Sequence, residues 1–280
     1  MFDVETFKPV DYLVIGHVTD DVTPAGLRLG GTATFSALTA RALGMRVGIV
    51  TSASHAISLP ENISVVFSLS EYTTTFENVY FNGERKQTLQ HQADEISLEK
   101  IPNVWRNAPI IHLGPVAQEI PGDLPKNFSP SLLGITPQGW MRTWNKEGHV
   151  FPCEWKSADY FLPRADAVVI SREDVGGDEE LIETMAHQTQ ILAVTDGDAG
   201  SVLFWNGDRR RFHAPQLKEV DATGAGDIFA AAFFIRLHNT RDPWEAARFA
   251  TQLAARSVTR IGLDGIPTRQ EIEECLMEVF

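Results

Sequence analysis

Seven apolar residues in a row, Ile228 to Phe234, follow directly on Gly224-Ala225-Gly226-Asp227. An alanine-rich apolar run of this length favours a buried helix. The two glycines then sit at the helix start, where they let the backbone approach a ligand without a Cβ in the way. The first N–H groups of a helix have no internal partner and carry partial positive charge, which makes an anion site. Asp227 lies beside that site. A carboxylate next to an anion cradle is unfavourable if binding is the only task. It makes sense if the carboxylate takes a proton from a hydroxyl that then attacks a phosphoryl group, with the cradle holding the charge that develops. A plain glycine turn with an acidic first-turn residue is the simpler reading. The full seven residues Asp221 to Asp227, with the helix behind them, are more specific than that.

Competing phosphate motifs fit less well. The chain has no Gly-x-x-x-x-Gly-Lys-Ser/Thr. Gly224-x-Gly226 has Phe229 where a dinucleotide fingerprint needs a third small residue, which disfavours a nicotinamide-type oxidoreductase. The net charge of −13 argues against a nucleic-acid-binding surface. The two cysteines, Cys153 and Cys275, form no metal or disulfide pattern. No signal peptide and no bilayer-length apolar run are visible, so a cytoplasmic location without membrane contact is the expectation.

Short continuous apolar runs alternate with helical patterns. Tyr12-Leu13-Val14-Ile15, Ala167-Val168-Val169-Ile170 and Ile191-Leu192-Ala193-Val194 read as buried parallel strands. The expected fold is one α/β domain over residues 1–280, with a doubly wound, mostly parallel sheet and helices on both faces. Between Ile63 and Gln92 the pattern turns β-rich, with a two-residue hairpin signal at Asn82-Gly83. A second hairpin is expected around Asn206-Gly207. Asp242 with Glu245, and Thr268 with Glu271, read as capping boxes. Arg142 reads as a surface arginine or as an anion contact.

The stretch Asp221 to Asp227 resembles the C-terminal signature of the ribokinase-like (PfkB) carbohydrate kinases, and Gly30-Gly31 resembles their N-terminal signature. The resemblance implies that Asp227 is the catalytic base and that the backbone of Gly224, Ala225 and Gly226 forms the anion hole. It also implies that Asp21, five residues after Gly16, holds hydroxyls of the acceptor, while Gly30 and Gly31 let it lie against backbone. Phe35 stands where the family usually has asparagine. A phenylalanine cannot bond to a sugar hydroxyl, so this disfavours a ribose-type acceptor and looks like the myo-inositol-kinase-like branch. Ser171 and Asp174 stand at the family's Asn-x-x-Glu, which organises Mg2+ through water. A helix-capping serine in an acidic loop explains that pair equally well. Thr195, Gly197 and Gly200 match a motif beside the nucleotide, and Gln252 would border an adenine pocket. A monovalent cation such as K+ is implied near Asp221 and Thr223.

A β lid, formed mainly by about residues 17–29 and 63–92, would cover the acceptor, and a homodimer could pair through it. The expected function is an ATP-dependent kinase that phosphorylates a hydroxyl of a sugar, a polyol such as myo-inositol, or a nucleoside, using ATP and Mg2+. The alternative is a non-catalytic sugar or nucleotide sensor on the same scaffold.

Overall fold

The computed structural model describes residues 7–81, 84–124 and 127–277. Nine strands form the main sheet: β1 (Tyr12–Ile15), β4 (Val47–Ala53), β5 (Ile63–Leu69), β8 (Ile110–Leu113), β9 (Leu132–Ile135), β12 (Ala167–Ser171), β13 (Ile191–Thr195), β14 (Ser201–Trp205) and β15 (Asp208–Phe212). Their order is β15-β14-β13-β12-β9-β8-β1-β4-β5. From β13 to β5 every pairing is parallel, and the two pairings at the other edge, β13–β14 and β14–β15, are antiparallel.

The continuous apolar runs have their cause here, because each inner strand is covered on both faces. Tyr12 and Val14 point into one core and Leu13 and Ile15 into the other. Helices α1 (Gly31–Ala42), α4 (Ala225–Thr240) and α5 (Pro243–Ser257) cover the first face, with the terminal α6 (Arg269–Met277) against α5. On the second face α2 (Ala158–Phe161) and α3 (Glu179–Gln188) bring Phe161, Ile182 and Met185 into the core. Every residue from Ile228 to Ile235 is buried, so α4 has no polar stripe, as expected of a helix packed on all sides.

A four-stranded sheet, β3-β2-β6-β7, stands over the ends of the main sheet. It joins β2 (Thr19–Thr23), β3 (Gly26–Gly30), β6 (Thr74–Phe81) and β7 (Glu84–His91). The β2–β6 pairing is parallel and the other two are antiparallel. A short pair, β10 (Arg142–Trp144) and β11 (Val150–Pro152), lies beside β7.

One boundary of the expected lid is corrected. Ile63–Leu69 pairs in parallel with β4 as the edge strand of the main sheet, not with the lid. An edge strand with one face toward water alternates polar and apolar residues just as a lid strand does, so the pattern alone does not separate them. The expected turn at Asn82-Gly83 lies outside the described residues. At Asn206-Gly207 both residues have positive φ, 53° and 78°, the geometry that suits a tight hairpin. Thr268 and Glu271 form the expected reciprocal cap. Asp242 caps α5, but Glu245 turns away to Arg236 and Arg248.

Candidate active site

A cavity of about 720 Å³ runs between the lid, the start of α4 and the exposed face of α5. It opens at the C-terminal ends of the parallel strands, where open α/β sheets bind ligands.

The centre of the cavity is the turn that enters α4. Gly224 takes φ +79°, a left-handed conformation that suits glycine. A β-carbon at Gly224 would lie 2.2 Å from Cδ1 of Phe35. At Gly226 a β-carbon would meet no protein atom and would project into the cavity. The two glycines are therefore needed for different reasons, one for protein packing and one for ligand space. Asp221 fixes the turn. Its Oδ1 accepts from Thr223 N at 2.9 Å and its Oδ2 from Gly262 N at 2.9 Å, with Arg28 Nη1 at 3.6 Å. Burial pushes the Asp221 carboxyl up, but these hydrogen bonds and Arg28 outweigh it and hold it below its ordinary value.

Asp227 occupies the first turn of α4 and lines the cavity. Burial pushes its pKa up to about 6, Asp174 and Asp21 add to the rise, and a hydrogen bond from Thr32 and the charge of Arg142 oppose it. A carboxylate poised near neutrality is suited to proton transfer.

At the lid end stand Asp21, Thr19, Gly31 and Asn78. Thr19 Oγ1 donates to Asp21 Oδ1 at 3.1 Å, and Gln87 Nε2 donates to Asn78 Oδ1 at 3.0 Å. Asp21 faces the cavity and Asp20 does not line it, as alternation along β2 requires. A β-carbon at Gly30 would lie 2.3 Å from Asp21 Oδ2, and one at Gly31 2.7 Å from the carbonyl of His17. The double glycine thus lets α1 begin directly against β2.

At the other end Thr195, Gly197 and Gly200 line the cavity together with the segment 214–220 and with Thr251, Ala254, Ala255 and Val258 of α5. Gln252 does not line it. Its Oε1 accepts from Arg248 Nη1 at 3.1 Å, on a different face of the helix. One residue along a helix is a rotation of about 100°, which carries position 252 off the stripe 251–254–255–258. Phe35 is also corrected in part. It lines the cavity, but its ring is only 2% exposed and packs against Gly224, so it buttresses the turn that enters α4 more than it offers a face to a ligand.

Ser171 caps the short turn that follows β12. Its hydroxyl accepts from Glu173 N at 3.2 Å, and Asp174 Oδ2 accepts from Ser171 N at 2.9 Å. Asp174 Oδ1 accepts from Gln138 Nε2 at 3.0 Å. Ser171 lines the cavity, and so does Glu173, which sequence reading passed over. Arg142 lines the cavity within electrostatic reach of Asp227, so it is not a surface arginine. Thr32 was also missed. Its place one residue after the double glycine was the available signal.

Residues 156–269 match the sequence model described as pfkB family carbohydrate kinase. Among curated proteins, ribokinase of Bacillus subtilis is 37% identical over 97 residues, covering 34% of this chain and 32% of that one. The chain thus spans about a third of the length of that relative. Among solved structures, a sulfate complex of a pyrophosphate-dependent kinase in the ribokinase family superimposes with a TM-score of 0.80 at 22% identity, covering 94% of this chain and 99% of that one. A pyrophosphate-dependent kinase of the same family, complexed with a pyrophosphate analogue and myo-inositol, gives 0.76 at 23% identity, with 94% and 99% covered. The fold is that of the ribokinase family. Among the described residues, no helix is long and apolar enough to cross a membrane.

Proposed function

We propose that this protein transfers a phosphoryl group from ATP to a hydroxyl of a sugar or cyclic polyol, with Asp227 as the general base. The observation that carries the reading is Asp227 itself, raised toward neutrality at the helix start that forms the anion cradle. The acceptor would lie under the lid, bonded to Asp21 and set against Gly30 and Gly31. Asp227 takes the proton of the attacking hydroxyl, and the N–H groups of Ala225 and Gly226 hold the charge on the transferred group.

The donor end favours a nucleotide over bare pyrophosphate. Ala254, Ala255 and Val258 on one side and Pro215, Leu217 and Val220 on the other leave an apolar slot suited to a base. Thr195, Gly197 and Gly200 would border its phosphates. Cyclic polyols fit the acceptor end, and the structural neighbour that holds myo-inositol supports that choice.

A divalent cation fits the charge pattern. Among the described residues the cavity is lined by Asp21, Glu173, Asp198, Glu219, Asp221 and Asp227 against one arginine, Arg142, so a polyphosphate needs a counter-ion to enter. Among the described residues no three acidic, His or Cys side chains converge as a direct metal cage. Ser171, Glu173 and Asp174 would therefore hold a hydrated Mg2+ through water, and the ion would neutralise the donor phosphates. Asp221 and Thr223 fit a K+ ion poorly, because Arg28 already supplies the counter-charge and two backbone N–H groups occupy the carboxylate. Exposed Leu27 and Val79 on the lid strands fit pairing of two lids in a homodimer.

The test is phosphoryl transfer from ATP, and separately from pyrophosphate, to a panel of sugars, inositols and nucleosides. Acceptor-stimulated ATP turnover that disappears in Asp227→Asn is the expected result. No stimulation by any acceptor, or equal turnover by Asp227→Asn, would refute the reading.

A further inference from the structure

The carboxylate that fixes the α4 entry turn, Asp221, takes its counter-charge from the lid. Arg28 lies on β3, the edge strand of the four-stranded sheet. In the β2–β3 pair it stands opposite Asp21. Opposite residues of an antiparallel pair share one face of the sheet. Asp21 lines the cavity, so Arg28 is carried on the cavity side of the lid. Its guanidinium passes to Asp221, with Nη1 3.6 Å from Oδ2.

The guanidinium has a prepared seat. Gly262 is buried, and a β-carbon on it would lie 2.8 Å from Arg28 Nη1 and 3.1 Å from its Cδ. A side chain at Gly262 would need the room that the arginine takes. The same glycine donates its N–H to Asp221 Oδ2 at 2.9 Å, and Thr223 N donates to Oδ1 at 2.9 Å. Asp221 N in turn donates to Val258 O at 3.1 Å. One carboxylate therefore gathers the lid through Arg28, the turn before α4 through Thr223, and the turn after α5 through Gly262. The Asp221 side chain is 20% exposed, so water screens this pair less than a pair on an open surface.

The place of the pair gives it a consequence. Asp221 lines the same cavity as Ala225 and Gly226, whose N–H groups would receive the transferred group. Without Arg28, its full negative charge would face the donor phosphates across the entry turn. We propose that Arg28 is a positioning residue: its guanidinium, seated over Gly262, neutralises Asp221 and holds the α4 entry turn in place for the donor phosphates. The lid that would cover the acceptor thereby supplies a charge to the donor end.

The proposal rests on the kinase reading, so one of its two readouts needs no ligand. The carboxyl carbon of Asp221 is followed by NMR against pH in the wild-type chain, Arg28→Met and Arg28→Lys. Methionine keeps an unbranched stem and loses the charge. Its Asp221 midpoint should rise by roughly half a unit to one unit, because a nearby cation favours the ionised carboxyl. Lysine keeps the charge and should return part of that shift. The second readout is calorimetric binding of MgATP, and separately of magnesium pyrophosphate, to the same three proteins. Arg28→Met should weaken donor binding roughly fivefold or more, and Arg28→Lys less. If Arg28→Met melts below the assay temperature, both measurements are read on Arg28→Gln. A folded Arg28→Met or Arg28→Gln chain with an unmoved Asp221 midpoint overturns the proposal. So does a moved midpoint with unchanged donor affinity, or a lysine variant that behaves like methionine in both readouts. A wild-type chain that binds neither donor would instead overturn the kinase reading, and the proposal with it.

Discussion

The ring of Phe35 lies in the space that a side chain on Gly224 would fill, with Cδ1, Cε1 and Cγ all within 2.5 Å of where that β-carbon would be. Phe35 lies on α1 and Gly224 caps α4, so this contact sets the height of the α4 entry turn above α1. Replacing Gly224 with alanine adds two costs: the left-handed φ of +79°, worth roughly 1–2 kcal/mol for a residue with a β-carbon, and the clash with the ring. Phe35→Ala alone should cost about 3–5 kcal/mol as a large-to-small core change. The double variant Gly224→Ala/Phe35→Ala should be less destabilised than the sum of the two, because the shortened side chain removes the clash. Denaturant melts of all four proteins measure that coupling. Strict additivity would mean that the two residues do not share this space.

Asp227 gives a pH dependence with a defined sign. As a base it must be ionised, so kcat/KM should fall about tenfold per pH unit below about 6. Stability runs the opposite way. A carboxyl whose folded pKa is raised binds its proton more tightly in the folded chain, so stability falls as pH rises from about 4 to about 6 and stays lower above that. Asp227→Asn should therefore lose roughly 10²–10⁴-fold in kcat yet melt higher than wild type at pH 8. The gain is on the order of 1–3 kcal/mol and should vanish below pH 4. Thermal melts at pH 4 and pH 8 check it.

The stripe on α5 separates two positions of the same helix. Ala255 lines the apolar slot, and Ala255→Leu should fill it, raising the KM for ATP roughly 10-fold or more while sparing the acceptor KM. Gln252→Ala, three residues earlier and off the cavity-lining stripe, should leave the ATP KM within about twofold. Initial-rate kinetics over a range of ATP concentrations distinguishes them. A large effect at Gln252 would mean that the nucleotide lies elsewhere.

Glu119 was not singled out by sequence, although it is 1% exposed and holds the root of the lid. Its Oε1 accepts from His17 N at 2.8 Å and its Oε2 from Ala117 N at 2.7 Å, and both oxygens lie 3.0 Å from Val116 N. Glu119→Gln would turn an amide donor toward backbone donors. It should cost roughly 2–4 kcal/mol and lower Tm by roughly 4–12 °C for a chain of this size. Because Val116 lines the cavity, the acceptor KM should rise as well. Calorimetry and acceptor kinetics on the same preparation test both halves.

The sequence by itself determined whatever is written in local periodicity and local backbone need. The uninterrupted apolar runs of β1, β12 and β13 mark strands covered on both faces, and Ile228–Phe234 marks a helix with no wet side. Gly224, Gly226 and Asp227 mark a glycine turn at a helix start with a carboxylate in its first turn, because that arrangement depends on neighbours within one helical turn. Tertiary structure decided what depends on a partner far along the chain. Ile63–Leu69 joined the main sheet because β4 offered an edge in the right register, a fact its own alternation does not contain. Phe35 became a buttress because Gly224 arrived above it from 189 residues away (224 minus 35). Arg142 and Glu119 gained their places in the same way, through Asp227 and His17. A side chain's charge and shape are fixed by its type, but the group it acts on is chosen only when the chain has closed on itself.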